Sequence, residues 1–241
     1  TKIINHYYPD QAKKIYRTGN SRIDVLKNPY NDLYASEAEL LKKKYGNFFL
    51  FPTLFTQCNS ANLYDSDYVT SLIKQGYKPN SPCVIIGKSL TVQQEKILEE
   101  TKIFFKKFNE ECPDKKLIVR PHPSEKIQFW FDLCKNYKNI DVIFDDQSTC
   151  SWIKASEMLI STNCTTSIEA LFLNKKSVNF LPYKDETVEY TLPKETSIVV
   201  RTTKKLIDII KNNHNDDFFI MDEKKKQQIK NWLFNAFEGC G

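Results

Sequence analysis

Glycine is scarce, with six residues in a chain of 241. None falls in a G-x-G-x-x-G or G-x-x-x-x-G-K-[ST] pattern, so the close backbone approach of dinucleotide and P-loop sites has nothing to build it. There is no G-x-S-x-G, which removes the nucleophile elbow of serine hydrolases. Histidine occurs three times, at His6, His122 and His214. The seven cysteines form no C-x-x-C pair and show no Cys/His spacing of zinc type. Neither a metal nor a cofactor is expected. No run approaches the roughly 18 apolar residues that would span a bilayer. A basic stripe interleaved with exposed aromatics is missing too, which argues against a nucleic-acid partner.

What is present is an ordinary globular profile. Hydrophobic residues make up 41% and charged residues 27%, enough apolar surface for a core and too much for a disordered chain. The balance of 35 Lys+Arg against 30 Asp+Glu gives +5, a mild basicity partly gathered in Lys42-Lys43-Lys44 and Lys224-Lys225-Lys226. Such runs read as solvated helix faces. The charge also suits a protein that meets anionic nucleotides or works beside an acidic membrane surface. An odd cysteine count without a secretory signal reads as reduced thiols, so a cytoplasmic location is expected, free or at the inner face of the membrane. The chain opens at Thr1 rather than Met, and the start of the natural protein is expected to have been lost or processed away.

From about Asn47 short apolar runs alternate with amphipathic stretches, the pattern of a layered α/β domain. Strands are predicted at Phe48–Phe51, Lys116–Val119, Ile140–Phe144, Glu157–Ile160, Ser177–Phe180 and Ser197–Val200. Helices are predicted at Tyr64–Lys74, Val92–Glu111, Glu125–Tyr137, Cys150–Ser156, through Leu173, Thr203–Asn212 and Asp222–Phe237. In the clearest of them Ile97, Thr101, Phe104, Phe105 and Phe108 recur at helical spacing. The implied architecture is a Rossmann-like three-layer domain with a mostly parallel sheet, over residues 21–241. Residues 1–20 fit this layout poorly and read as the tail of a preceding domain or a linker. Ligands of such sheets sit beyond the carboxyl ends of the strands. That directs attention to the loops after Leu50, Val119 and Ile160.

In Arg120-Pro121-His122-Pro123-Ser124-Glu125 two prolines stiffen the backbone on either side of an imidazole. His122 and Arg120 at a strand end form a plausible phosphate grip. Equally, His122 closes a loop and Arg120 pairs with an acid. Hydroxyls cluster in Ser161-Thr162-Asn163-Cys164-Thr165-Thr166-Ser167-Ile168-Glu169, where Ser161-Thr162-Asn163 is expected to cap the following helix. Free N–H groups and hydroxyls there favour an anion, and Glu169 sits where a carboxylate could accept from ribose hydroxyls. The alternative is an N-cap with extra threonines. The loop Phe51–Ser60 faces a second substrate or is a plain connection. Asp145-Asp146 is expected to cap the next helix.

These segments, with Ser151-Trp152-Ile153 between them, resemble the bacterial surface-carbohydrate biosynthesis family. Thr18-Gly19-Asn20-Ser21-Arg22-Ile23-Asp24-Val25-Leu26 is similar to that family's TGNPRxDLL segment, with Ser21 in place of Pro, and Lys44-Tyr45-Gly46-Asn47 also matches. The resemblance runs from about residue 15 to 182. It implies the C-terminal, nucleotide-sugar-binding half of a GT-B glycosyltransferase, related to capsular Kdo transferases and bacterial sialyltransferases. It implies a CMP-activated acidic sugar as donor and a glycan or glycolipid of a surface polysaccharide as acceptor. His122, Thr165 and Thr166 would be phosphate contacts, with Arg120, Ser161, Asn163 and Cys164 around them and Glu169 toward the ribose. The family's catalytic carboxylate or base belongs to a preceding domain, so no catalytic residue is placed in this chain. Alternatives are a CDP-glycerol-type or UDP-sugar transferase or epimerase, or a non-catalytic nucleotide-binding scaffold.

Overall fold

The computed structural model describes residues 24–26, 30–61, 68–213, 224 and 227–229. The expected tail at 1–20, the segment Thr18–Ile23, His6, His214 and most of the helix expected at Asp222–Phe237 lie outside the described residues. Six strands make one sheet: β1 (Phe49–Pro52), β2 (Leu117–Arg120), β3 (Ile140–Val142), β4 (Met158–Ser161), β5 (Lys176–Phe180) and β6 (Ile198–Val200). Their spatial order is β3-β2-β1-β4-β5-β6, and every pairing is parallel. The expectation of a mostly parallel sheet is met in full.

The strand sequences are continuous apolar runs because both faces are covered. Side chains alternate between two cores. Phe49, Phe51, Leu117, Val119, Met158, Ile160, Val178 and Phe180 point to one. Phe48, Leu50, Ile118 and Leu159 point to the other. Helix α3 (Pro82–Glu111), α4 (Ile127–Cys134) and α8 (Thr203–Lys211) cover the first face. There Phe51 meets Phe104 and Phe105 at ring-centroid distances of 6.2 and 5.2 Å, and Phe104 meets Phe180 at 5.9 Å. Helices α1 (Ala35–Tyr45), α5 (Thr149–Ala155) and α6 (Thr166–Phe172) cover the second face. Two short helices, α2 (Tyr68–Lys74) and α7 (Thr191–Thr196), complete the set, and a 3₁₀ turn at Tyr30–Tyr34 precedes α1.

Three differences from the predicted elements have physical causes. Helix α3 starts ten residues earlier than Val92, at Pro82, where proline occupies the first turn and needs no N–H partner. Its added segment packs on α2 rather than on the sheet. A β-carbon at Gly87 would come within 3.1 Å of the Tyr68 ring. The exposed Ile85 and Ile86 there broke the expected apolar stripe. Helix α6 starts at Thr166 with Thr165 as its N-cap, so Ser161-Thr162-Asn163 does not cap it. Asn163 takes a left-handed φ of 54°, which interrupts any helix at that point. Finally, Asp145 is not the cap of α5. Ser148 is, accepting from the N–H of Cys150.

Candidate functional site

The order β3-β2-β1-β4-β5-β6 reverses direction between β1 and β4. The chain leaves these two parallel neighbours toward opposite edges of the sheet, which opens a crevice at their carboxyl ends. A cavity of about 360 Å³ lies there, lined by Thr53 after β1, Arg120 and His122 at the end of β2, and Cys164, Thr165 and Thr166 after β4. The imidazole turn and the hydroxyl-rich loop therefore face one another across a single space. This volume falls within the range of small-ligand sites.

The His122 turn is held from beneath by a carboxylate. Glu125 is 1% exposed and accepts three hydrogen bonds: from Phe55 N–H (2.8 Å), Thr53 Oγ1 (2.9 Å) and Trp130 Nε1 (2.6 Å). Thr53 Oγ1 in turn accepts from His122 N–H at 3.0 Å. Burial pushes the Glu125 carboxyl above the ordinary carboxylate range, and these donors pull it back only in part. This hub ties the loop after β1 to the turn after β2. The segment Phe51–Ser60 is thus a wall of the site as well as a connection. Neither Thr53 nor the anchoring role of Glu125 was visible in the sequence. The only signal was the Glu following the Pro-His-Pro turn.

On the imidazole, Nδ1 accepts from Ser124 N–H at 3.1 Å, which places the proton of the neutral ring on Nε2. Burial lowers the His122 pKa from its ordinary value. His122 is accordingly a neutral donor. Arg120 is engaged as well. Its Nη2 donates to Asp145 Oδ1 at 2.7 Å and to the carbonyls of Asp145 and Gln147, while its guanidinium carbon lies 5.1 Å from the Trp152 ring centre. Of the readings open for this turn, Arg120 does pair with an acid, Asp145, and burial disfavours the charged form of His122. Thr166 and Arg120 line the cavity, and their Oγ1 and Nε atoms, buried within the protein, have no hydrogen-bond partner among the described residues. Thr166 is 8% exposed and Thr165 is exposed.

The other candidates are placed behind the wall. Ser161 is buried under β5, its hydroxyl 3.5 Å from the Val178 carbonyl. Asn163 spends its side chain on the segment after β5, where Nδ2 donates to Val188 O (2.8 Å) and Oδ1 accepts from Tyr190 N–H (2.7 Å). Its own N–H donates to Asn179 Oδ1 at 2.8 Å. Glu169 is buried on the other core face with Oε2 3.9 Å from Cys150 Sγ, and it does not line the cavity. Among the described residues no group of three or more His, Cys, Asp or Glu comes together to hold a metal ion. None of the six cysteines described is in a disulfide. No helix among these residues is long and apolar enough to cross a membrane.

Asn163 is steadied by a clip. Glu189, between the two residues that Asn163 binds, pairs with both terminal guanidinium nitrogens of Arg201, Nη1 and Nη2 (the latter at 2.9 Å), and with Lys194 at 3.4 Å. Arg201 holds the Glu189 carboxyl below its usual value. A lowered native pKa contributes stability that is present above the ordinary value of about 4.3 and is lost as pH falls through the lowered one. Unfolding free energy should therefore decline as pH drops below about 4.3. Glu189→Gln should flatten that part of the profile, measured by urea titration at a series of pH values.

The sheet order and the crevice define a Rossmann-like domain. Among solved structures it is similar to the UDP-GlcNAc 2-epimerase of Methanocaldococcus jannaschii in complex with UDP-GlcNAc and UDP, with a TM-score of 0.50 and 16% identity over 97% of this chain. The chain spans 59% of that enzyme's length. The wall teichoic acid polymerase TagF also matches, with a TM-score of 0.48 and 14% identity over 98% of this chain and 56% of the polymerase. At these identities the likeness is one of fold. No protein-family model matches the chain, and no curated protein does.

Proposed function

We propose that this chain is the donor-binding half of a GT-B glycosyltransferase that takes a nucleotide sugar, a CMP-activated acidic sugar, for transfer to a surface glycan or glycolipid. The observation that supports this is the meeting of His122 with Thr165 and Thr166 across one cavity at the sheet's switch point. In transfer the bond between the anomeric carbon and the phosphate oxygen breaks, and charge grows on the departing phosphate. Donors already oriented toward it stabilise that charge without rearranging. His122 Nε2–H and Thr166 Oγ1–H would supply them. Helix α6 has only seven residues, so the hydroxyls rather than the peptide dipoles carry this reading.

Thermal shift with CMP, CDP, UDP and GDP tests the donor class. Stabilisation by CMP or a CMP-sugar supports the proposal. A preference for UDP would instead favour a UDP-sugar transferase or epimerase, the reading to which the epimerase-like fold lends itself. A preference for CDP would favour a CDP-glycerol-type enzyme, and no response to any nucleotide would overturn the donor-binding reading. For the site itself, His122→Ala should weaken CMP binding about 10- to 100-fold in calorimetry, the worth of one hydrogen bond to a charged group. Unchanged affinity would remove His122 from the site.

A further inference from the structure

Helix α3 lies along β1 and runs past its end. Phe108 meets Phe49 (6.4 Å between centroids) and Phe104 meets Phe51 (6.2 Å), while Leu90 and Ile97 line one small space with Leu54 and Phe55. Residues 82–89 therefore carry the helix about 12 Å beyond the carboxyl end of the strand. With α2 packed on them they form a hairpin at the edge of the sheet that holds the candidate site. Every residue from 73 to 80 is exposed, so the hairpin ends in open solvent. Ile73 (42% exposed), Tyr77 (44%), Ile85 (54%) and Ile86 (49%) all lie at this end. Its backbone is fixed nonetheless. Gly76 has a φ of 94°, and its N–H donates to Ile73 O (2.9 Å) while that of Tyr77 donates to Leu72 O (3.2 Å), which closes α2. Ser81 N–H then donates to Lys78 O at 2.9 Å around Pro79 and Asn80.

We propose that this hairpin end is a docking surface for a bilayer that contains anionic lipid. Exposed apolar side chains gathered in one place mark an interaction site, and the charge around them selects the partner. Between Asp67 and Glu95 the sequence holds Lys74, Lys78 and Lys88 but no Asp or Glu, although these two types make 30 of the 241 residues. All three lysines are exposed. Isoleucines with a tyrosine would enter the headgroup region, while the lysines lay their apolar stems along it and meet the anionic headgroups. A projecting end needs no shaped pocket in a fluid surface, and its fixed backbone lowers the entropy lost on docking. Docking in this way turns the edge of the sheet that holds the cavity toward the lipid headgroups. It does not depend on what the cavity binds.

Flotation of the chain with vesicles tests the proposal. The chain should float with vesicles of equimolar phosphatidylcholine and phosphatidylglycerol and stay behind with phosphatidylcholine alone. Ile85→Ser combined with Ile86→Ser should weaken binding about ten-fold or more. Lys74→Ala and Lys78→Ala should each weaken it about five-fold. All four side chains are exposed, so the melting temperature should not move. Lys42→Ala with Lys43→Ala, in the basic run on α1, should leave binding unchanged. No flotation, equal flotation with both vesicles, or equal losses from the two lysine pairs would overturn the proposal. So would light scattering without lipid that shows a dimer which the isoleucine variant dissociates, because the surface would then belong to a second copy of the chain.

Discussion

Replacing Glu125 by alanine is expected to lower the unfolding free energy by about 3 kcal/mol or more, since each stranded buried donor costs about 1–3 kcal/mol. Three donors converge on this carboxylate from three places: the backbone of Phe55, the hydroxyl of Thr53 and the indole of Trp130. Alanine leaves all of them unpaired in a region closed to water. The damage should not stay local. Thr53 Oγ1 donates to Glu125 and accepts from His122 N–H, so loss of the carboxylate frees the hydroxyl that seats the His122 turn. Urea titration should therefore show a reduced midpoint, and calorimetry should show weakened CMP binding in the fraction that remains folded. Glu125→Gln separates the two effects. It keeps the shape and one acceptor but turns an N–H₂ toward a donor, so its stability should fall between the other two. Wild-type stability in the alanine variant would show that these donors find other partners and that the hub does not hold the site.

The way this hub escaped sequence reading is informative. The strands were legible because a buried parallel strand is written as a run of apolar residues, and Phe48–Phe51, Lys116–Val119 and Glu157–Ile160 each fall within a residue or two of β1, β2 and β4. Once those strands were placed, the loops after them were confined to one edge of the sheet. The meeting of His122 with Thr165 and Thr166 then followed from topology. Which side chains hold the loops in place did not follow. Glu125 and Thr53 are 72 positions apart, Asn163 and Tyr190 27, and Arg120 and Asp145 25. Such pairings depend on where rotamers point after the sheet has formed, and local pattern carries no record of them. For this reason Asn163, read as a ligand contact by its position in a motif, is found with its side chain committed to the protein, and Arg120 with its Nη2 committed to the Asp145–Gln147 turn. The loop of Thr165 and Thr166 carries its hydroxyls to the cavity because Asn163 secures its base.

Trp152 offers the second large effect, through the opposite wall of the site. Its ring is fully buried between Tyr45 (5.3 Å between centroids) and Phe48 (5.7 Å), with the Arg120 guanidinium also against it. Its Nε1 donates to Asp145 Oδ1 at 3.3 Å, the same oxygen that receives Arg120 Nη2 and the N–H of Gln147. Trp152→Ala should cost about 3–5 kcal/mol, the range for truncating a large aromatic in a packed core. It should also release the Asp145–Gln147 turn and with it the orientation of Arg120. Trp152→Phe isolates these contributions. It keeps most of the packing and removes only the indole donor, so it should cost about 1 kcal/mol. Because Asp145 would retain Arg120 and Gln147, CMP affinity in the phenylalanine variant should stay within a few-fold of wild type. Denaturant titration and calorimetry on the two variants check both statements. Equal losses of affinity in Trp152→Phe and Trp152→Ala would mean that the indole N–H, not the packed ring, holds Arg120 at the cavity wall. Normal affinity in the alanine variant would show that ligand binding does not depend on the position of Arg120.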